Sequence, residues 1–299
     1  MIARTRVCYN GVHTRALTTG GQGVPILLLH GFADCADTWR GVLEELDRRG
    51  RAALAVDVVG HGDADPFAAG ALLPQVDRFV DGVLDATGPA VVVGNSLGAM
   101  MSVRAAQRRR ASVRGVVTLD EPILSADRMA RLARGPRIPY LVARLRLLPV
   151  PTPVARRLVR RTARTLLYGS PAGADPVVLD RWCDRYGQRE RMFWLLEHAV
   201  RFARETVAGY HLDAVGCPML IVHGRKDRII SPQASRELHR LVPGSQLVIL
   251  PTAGHCPHLD DPVAIAALVA EFADATPPAA SGTKQPLRHS PAAPGRRRE

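Results

Sequence analysis

The sequence predicts an α/β protein with a mainly parallel sheet and helices on both faces. Three observations carry this. Short apolar, β-branched runs alternate with helix-like stretches along most of the 299 residues. Several of those runs are continuously apolar, as strands buried on both faces must be. And 46% of the chain is hydrophobic, enough for one large domain with an insertion or for two small ones.

The elements follow in order. Val7–Tyr9 and Val12–Leu17 flank Asn10-Gly11, a dipeptide suited to the φ > 0 positions of a type I′ hairpin. Gly20–Gly23 reads as a loop, and Pro25–Leu29 (PILLL) as a buried strand. Thr38–Arg49 is helical, with Trp39, Val42, Leu43 and Leu46 on one face. Ala52–Val56 is a strand ending at Asp57, and Leu72–Ala86 a helix. Ala90–Gly94 is a strand, Leu97–Gln107 a helix and Val113–Leu119 a strand. Alternation resumes with the strand Met219–Val222, the helix Pro232–Leu241, the strand Gln246–Leu250 and the closing helix Pro262–Ala273. From Thr276 the chain is rich in Pro, Ala, Ser and Arg, so residues 276–299 are expected to form a disordered basic tail.

Residues 123–212 are too many for a loop between packed elements. They carry helical stretches broken by prolines and are expected to form a helical cap inserted after the sixth strand. The core is then 1–122 and 213–275. Val154–Leu167 places Val154, Ala155, Leu158, Val159, Thr162, Leu166 and Leu167 near one face, with Arg156, Arg157, Arg160, Arg161 and Arg164 opposite. A basic amphipathic helix can lie on an anionic membrane surface. Inside a globular pattern, covering the core or lining a pocket is the favoured role.

The net charge of +12 is unevenly spread. Residues 125–210 hold 17 Arg against 7 Asp/Glu, and the tail is also basic, which leaves the main domain close to neutral. No zinc-finger or RNP pattern accompanies the charge, so no nucleic-acid partner is expected. Five cysteines without C-x-x-C spacing read as free thiols in a reducing compartment. With no apolar run near ~20 residues and no apolar segment at the amino terminus, the expected location is the cytoplasm. His211, His223 and His239 lack metal-ligand spacing, and neither metal nor cofactor is expected.

The chemistry starts at Gly94-Asn95-Ser96-Leu97-Gly98, a G-x-S-x-G pentapeptide between a strand and a helix. Such a turn holds its serine at the apex, and glycines two before and two after remove side chains that would collide. A serine hydroxyl needs a positioned base. His255, in the loop after the last strand, would share the rim of the sheet where catalytic groups gather. Asp227, after the Met219–Val222 strand, fits the carboxylate that orients the imidazole, with Asp120 and Glu121 as a second choice. An oxyanion needs two backbone N–H groups. Leu97 supplies one, and Phe32 of His30-Gly31-Phe32 the other. His30 and His61 are expected to brace loops, His258 to be structural and Cys256 to pack.

These motifs (His30-Gly31-Phe32, Asp57-Val58-Val59-Gly60-His61-Gly62, the pentapeptide, the Asp227 loop and Gly254-His255) together resemble the α/β-hydrolase superfamily over about residues 7–275. The resemblance implies an α/β-hydrolase fold with a mostly parallel eight-stranded sheet and a helical cap. It also implies a Ser-Asp-His serine hydrolase acting through an acyl-enzyme on a small-molecule ester, thioester, lactone or related carbonyl compound, without a cofactor. The similarity is to the capped single-domain branch, which includes carboxylesterases, lactonases and carbon–carbon bond hydrolases. Gly-Asn-Ser-Leu-Gly looks like the elbow of the last group. Ala99 stands where many relatives have a second glycine. Carbon–carbon cleavage, acyl transfer and non-catalytic ligand binding on the same fold are the alternatives.

Overall fold

A computed structural model describes residues 1–123, 135, 137–145, 149–206, 212 and 215–276. The tail expected from 276 onward, apart from Thr276, which is buried and donates to Phe272 O at 2.8 Å, and parts of the expected cap, His211 among them, therefore fall outside the described residues. Eight strands form one sheet: β1 (Ala3–Tyr9), β2 (Val12–Thr18), β3 (Gln22–Leu29), β4 (Arg51–Val56), β5 (Ala90–Asn95), β6 (Val113–Leu119), β7 (Met219–Gly224) and β8 (Gln246–Leu250), in the order β1-β2-β4-β3-β5-β6-β7-β8. Only β1–β2 and β2–β4 are antiparallel; the other five pairings are parallel. The β1–β2 turn has Asn10 at φ 46 and Gly11 at φ 82, the two positive values of a type I′ turn.

The helices of the sheet are α1 (Arg40–Arg48), α2 (Leu73–Thr87) and α3 (Leu97–Arg108), all before β6. Between β6 and β7 lie α4 (Ile138–Leu145), α5 (Thr152–Leu167), α6 (Pro176–Tyr186) and α7 (Arg189–Glu205). Then come α8 (Pro232–Leu241), the short α9 (Pro257–Asp260) and α10 (Pro262–Ala275). Strand residues sort by parity onto the two faces. Leu27, Leu29, Leu54, Val56, Val92 and Val116 pack with Phe79 of α2, Met100 of α3 and Leu238 of α8. Ile26, Leu28, Ala53, Ala55, Val91 and Val93 pack with Trp39 just before α1, with Leu43 and Leu46 of α1 and with Ile265 and Val269 of α10. Both faces are thus covered, which explains why β3 and β5 read as unbroken apolar runs.

Two local expectations differ from the structure. Gly20–Gly23 is not all loop: β3 begins at Gln22, whose N–H donates to Gly50 O at 2.8 Å, and the register shifts between Gln22 and Ile26. The buried stripe of α5 is narrower than its helical wheel suggests. Ala155, Val159, Ala163 and Leu167, spaced i, i+4, are buried, while Val154 and Leu158 are 55% and 53% exposed. Two of its arginines, Arg156 and Arg160, reach across to Asp184 and Asp180 of α6. No helix among the described residues is long and apolar enough to cross a membrane.

One buried ion cluster lies just beyond the carboxyl end of β4. Asp57, fully buried after β4, accepts Arg15 Nε at 2.9 Å and Nη2 at 3.1 Å, together with the N–H groups of Ala36 and Asp63, each at 2.7 Å. Arg15 Nη1 also donates to Asp37 at 2.7 Å. Burial alone would raise the Asp57 carboxyl, but its Arg15 partner and the other donors hold it below the usual carboxylate range. Replacing Asp57 with Ala leaves Arg15 with Asp37 and a longer 3.5 Å contact to Asp63, and leaves two loop N–H groups unpaired. The expected loss is about 3–5 kcal/mol in urea unfolding. A loss under about 1 kcal/mol would show that the cluster does not hold the loops.

Candidate active site

The parallel strands end at one rim, because Leu29 pairs with Gly94, Asn95 with Leu119 and Leu119 with Val222. The residues just beyond those ends are His30-Gly31, Ser96 and Asp120, with the Asp227 and His255 loops following β7 and β8. Ser96 sits between β5 and α3 at φ 52, ψ −113, a conformation L residues adopt only under constraint. Its N–H donates to Leu119 O at 2.9 Å. The flanking glycines are required by contact. A Cβ on Gly94 would lie 2.1 Å from the backbone of Gly98, and one on Gly98 would lie 2.1 Å from Leu29 O. Leu97 opens α3, so its N–H has no acceptor within the helix.

The β3 loop passes directly over this turn. A Cβ on Gly31 would lie 3.2 Å from Asn95 Oδ1 and 3.5 Å from Ser96 Cβ. His30 braces the loop: its Nε2 accepts Val58 N–H at 2.9 Å, and its Nδ1 lies 2.7 Å from Gly31 O. Full burial pushes its pKa down to about 4, which keeps the ring neutral for that pair of roles. Phe32, half-buried, packs edge-on against His61 and Phe202 at 5.6 Å each. Phe32 and Ala33 share a cluster with Tyr186 and Trp182 of α6 and Trp194 of α7, so the helices between β6 and β7 roof this loop. His258 is buried and stacks on Trp39 at 4.2 Å, a packing role.

His255 Nδ1 lies 2.8 Å from Asp227 Oδ2. The other Asp227 oxygen accepts the N–H groups of Ile229 at 2.6 Å and Ile230 at 3.0 Å. Burial would raise Asp227, but the His255 charge and the bonds from His223, His255 and the backbone hold it far below the usual range. Asp227 is therefore a fixed carboxylate facing one ring nitrogen of His255. Asp120 is also fully buried, and its carboxylate, that of Asp227 and the His255 ring place one atom each within 4.8 Å of one another. Both acids singled out after β6 and β7 thus converge on the same histidine, though only Asp227 bonds to it. Glu121 points elsewhere, lying 3.3 Å from Ser235 Oγ and accepting Ile123 N–H at 2.7 Å.

Two residues that sequence reasoning missed hold these loops, and a third is buried beside them. Asn95 Nδ2 donates to His255 O at 2.8 Å and to Leu119 O at 3.3 Å, tying the residue before Ser96 to the histidine loop. Asp260 accepts Gly254 N–H at 2.7 Å and Gly169 N–H at 3.0 Å, joining that loop to the end of α5. Asp34, buried beside the β3 loop, has a pKa pushed up by burial to about 7. Nothing in local spacing marks Asn95 or the Gly169 contact of Asp260, because those partners lie far away in sequence.

A family model described as "alpha/beta hydrolase fold" matches residues 24–262. The chain is 29% identical over 280 residues to an uncharacterized protein of Mycobacterium tuberculosis, covering 89% of this chain and 80% of that one. It is 29% identical over 242 residues to a pimeloyl-[acyl-carrier protein] methyl ester esterase of Neisseria meningitidis, covering 74% and 67%. Among solved structures it is similar to 2-hydroxy-6-oxo-6-phenylhexa-2,4-dienoate hydrolase from Rhodococcus sp. strain RHA1, with TM-score 0.73, 18% identity and 92% and 99% coverage. It is also similar to a serine hydrolase involved in carbazole degradation, with TM-score 0.71, 20% identity and the same coverage. At these identities the two structures speak to the fold alone.

Proposed function

The chain belongs to the alpha/beta hydrolase fold family, and on that premise we propose that it is a serine hydrolase cleaving an ester, thioester, lactone or related carbonyl substrate through an acyl-enzyme on Ser96. The observation that carries this is the His255–Asp227 pair at 2.8 Å on the rim where the Ser96 turn stands, with Asn95 bonded to the histidine loop. Ser96 Oγ attacks the carbonyl carbon while His255 takes its proton. Asp227 holds the ring in the useful tautomer and stabilises the imidazolium. The Leu97 and Phe32 N–H groups receive the oxyanion, each worth about 10²–10³ in rate. His255 then gives its proton to the leaving group, and the same steps with water release the acid. Residues 123–212 act as a cap over the pocket, and the partner is a small-molecule substrate.

Two further readings stand beside it. The elbow Gly94-Asn95-Ser96-Leu97-Gly98 favours carbon–carbon bond cleavage as a second one, and transfer of the acyl group to an acceptor other than water uses the same groups. The test is labelling of the purified protein with a fluorophosphonate, followed by esters, thioesters and lactones of graded chain length. Products are analysed with and without an added alcohol or thiol. Labelling at Ser96 with release of free acid is expected. Failure to label at Ser96 overturns the reading and favours a non-catalytic ligand-binding protein.

A further inference from the structure

Asp120 has no role in the steps above, yet it is fully buried beside them. It occupies a left-handed conformation at φ 48 just past β6. Its two oxygens are unlike. Oδ1 accepts Gly224 N–H at 3.0 Å and lies 3.3 Å from His223 Nε2. Oδ2 is buried and meets no donor. A buried carboxylate oxygen without a donor is costly, and two carboxylates this close cannot both be ionised in a dry site. Asp227 has the better claim to the charge. It accepts two backbone N–H groups and His255, whereas Asp120 has one backbone N–H.

We propose that Asp120 is a carboxylic acid rather than a carboxylate, and that its Oδ2–H donates to Asp227, making Asp120 a positioning residue for the Asp227–His255 pair. The inference rests on the hydrolase reading for its kinetic consequence but not for the proton itself. Burial and the adjacent Asp227 charge push the Asp120 carboxyl well above the usual range. His223 is the second arm of the arrangement. Its Nε2 lies 3.2 Å from Ile230 O, which only accepts, so that nitrogen carries hydrogen. The same atom lies 3.3 Å from Asp120 Oδ1 and 3.5 Å from Asp227 Oδ2. Its Nδ1 lies 2.7 Å from Ser235 Oγ, and a neutral ring with hydrogen on Nε2 accepts that hydroxyl's hydrogen, the longer contact of the hydroxyl being Glu121 at 3.3 Å. Thus Ser235 and His223 fix the donor that faces both acids, and the lone proton between them stays on Asp120.

The ionisable groups around Asp120 are Glu121 on its own strand end, His223 within β7 and Asp227 after it, and His255 and Cys256 after β8. Infrared difference spectroscopy reads the proton directly. At about pH 8, where Asp34 is mostly ionised, the wild-type protein should show the carbonyl band of a protonated carboxyl. That band should vanish in Asp120→Asn and persist in Glu121→Gln. The kinetic readout is the rate of fluorophosphonate labelling. Asp120→Gly suits the positive φ but removes the donor, and should slow labelling about tenfold or more. Asp120→Asn puts an amide N–H where the acid O–H stood and should restore the rate to within about threefold of wild type. A missing band, a band that survives Asp120→Asn, or an Asn variant as slow as the Gly variant overturns the proposal. A band without any labelling leaves the proton assignment standing and removes the hydrolase reading instead.

Discussion

Ser96→Ala is expected to abolish fluorophosphonate labelling and to lower turnover of any ester the wild-type protein cleaves by about 10⁴-fold or more. The argument is local. The bonds that shape the turn are made by backbone, Ser96 N–H to Leu119 O and Met100 N–H to Ser96 O, so truncating the side chain leaves the elbow in place. The unusual φ of 52 costs alanine about what it costs serine, and Tm should stay within a few degrees. What disappears is the attacking oxygen, and the residual rate is that of water in the same site. The nearest rival nucleophile on the rim is Cys256, next to His255. Its thiol is fully buried and pushed well above its usual range by that burial, so it remains protonated and unreactive. If Ser96→Ala retains more than about a tenth of the wild-type rate, the nucleophile has been misassigned.

How much of this was legible in the sequence depends on how far apart the partners sit. The strands were legible because burial on both faces leaves an unbroken apolar run, as in Ile26–Leu29 and Val91–Val93. The Asn10-Gly11 turn was legible because its chemistry is local. The start of β3 was not, since Gln22-Gly23 becomes strand only by pairing with Arg51 of β4. The α5 wheel showed which residues share a side but not how much of that side a neighbour covers, and Val154 and Leu158 stay exposed. The elbow pattern and the Asp227 and His255 loops were marked by spacing against the predicted strands. The supports around them were not: Asn95 meets a carbonyl 160 positions away and Asp260 an amide 91 positions away. His223 drew notice only as a histidine without metal-ligand spacing. Its place between two carboxyls follows from β6 and β7 being neighbours, an adjacency that β/α alternation does not specify.

That adjacency also sets the size of the second large effect. Asp227→Asn removes the carboxylate facing His255 Nδ1, and in a site with a single acid the loss is about 10⁴-fold. Here the loss should be smaller, about 10²–10³-fold, because the same substitution removes the charge that keeps Asp120 protonated. Asp120 then ionises within the same 4.8 Å cluster and partly takes over the orienting role. It does so imperfectly: Oδ1 stays committed to Gly224 N–H, and the two backbone donors at Ile229 and Ile230 serve position 227 alone. Adding Asp120→Asn to Asp227→Asn should therefore cost a further tenfold or so, although Asp120→Asn by itself is the mildest of the three variants. The double-mutant cycle on fluorophosphonate labelling or on kcat/KM for a cleaved ester measures this coupling. Strict additivity would mean that Asp120 cannot reach His255. A larger loss from Asp120→Asn than from Asp227→Asn would exchange the two roles and make the acid after β6 the one that orients the base.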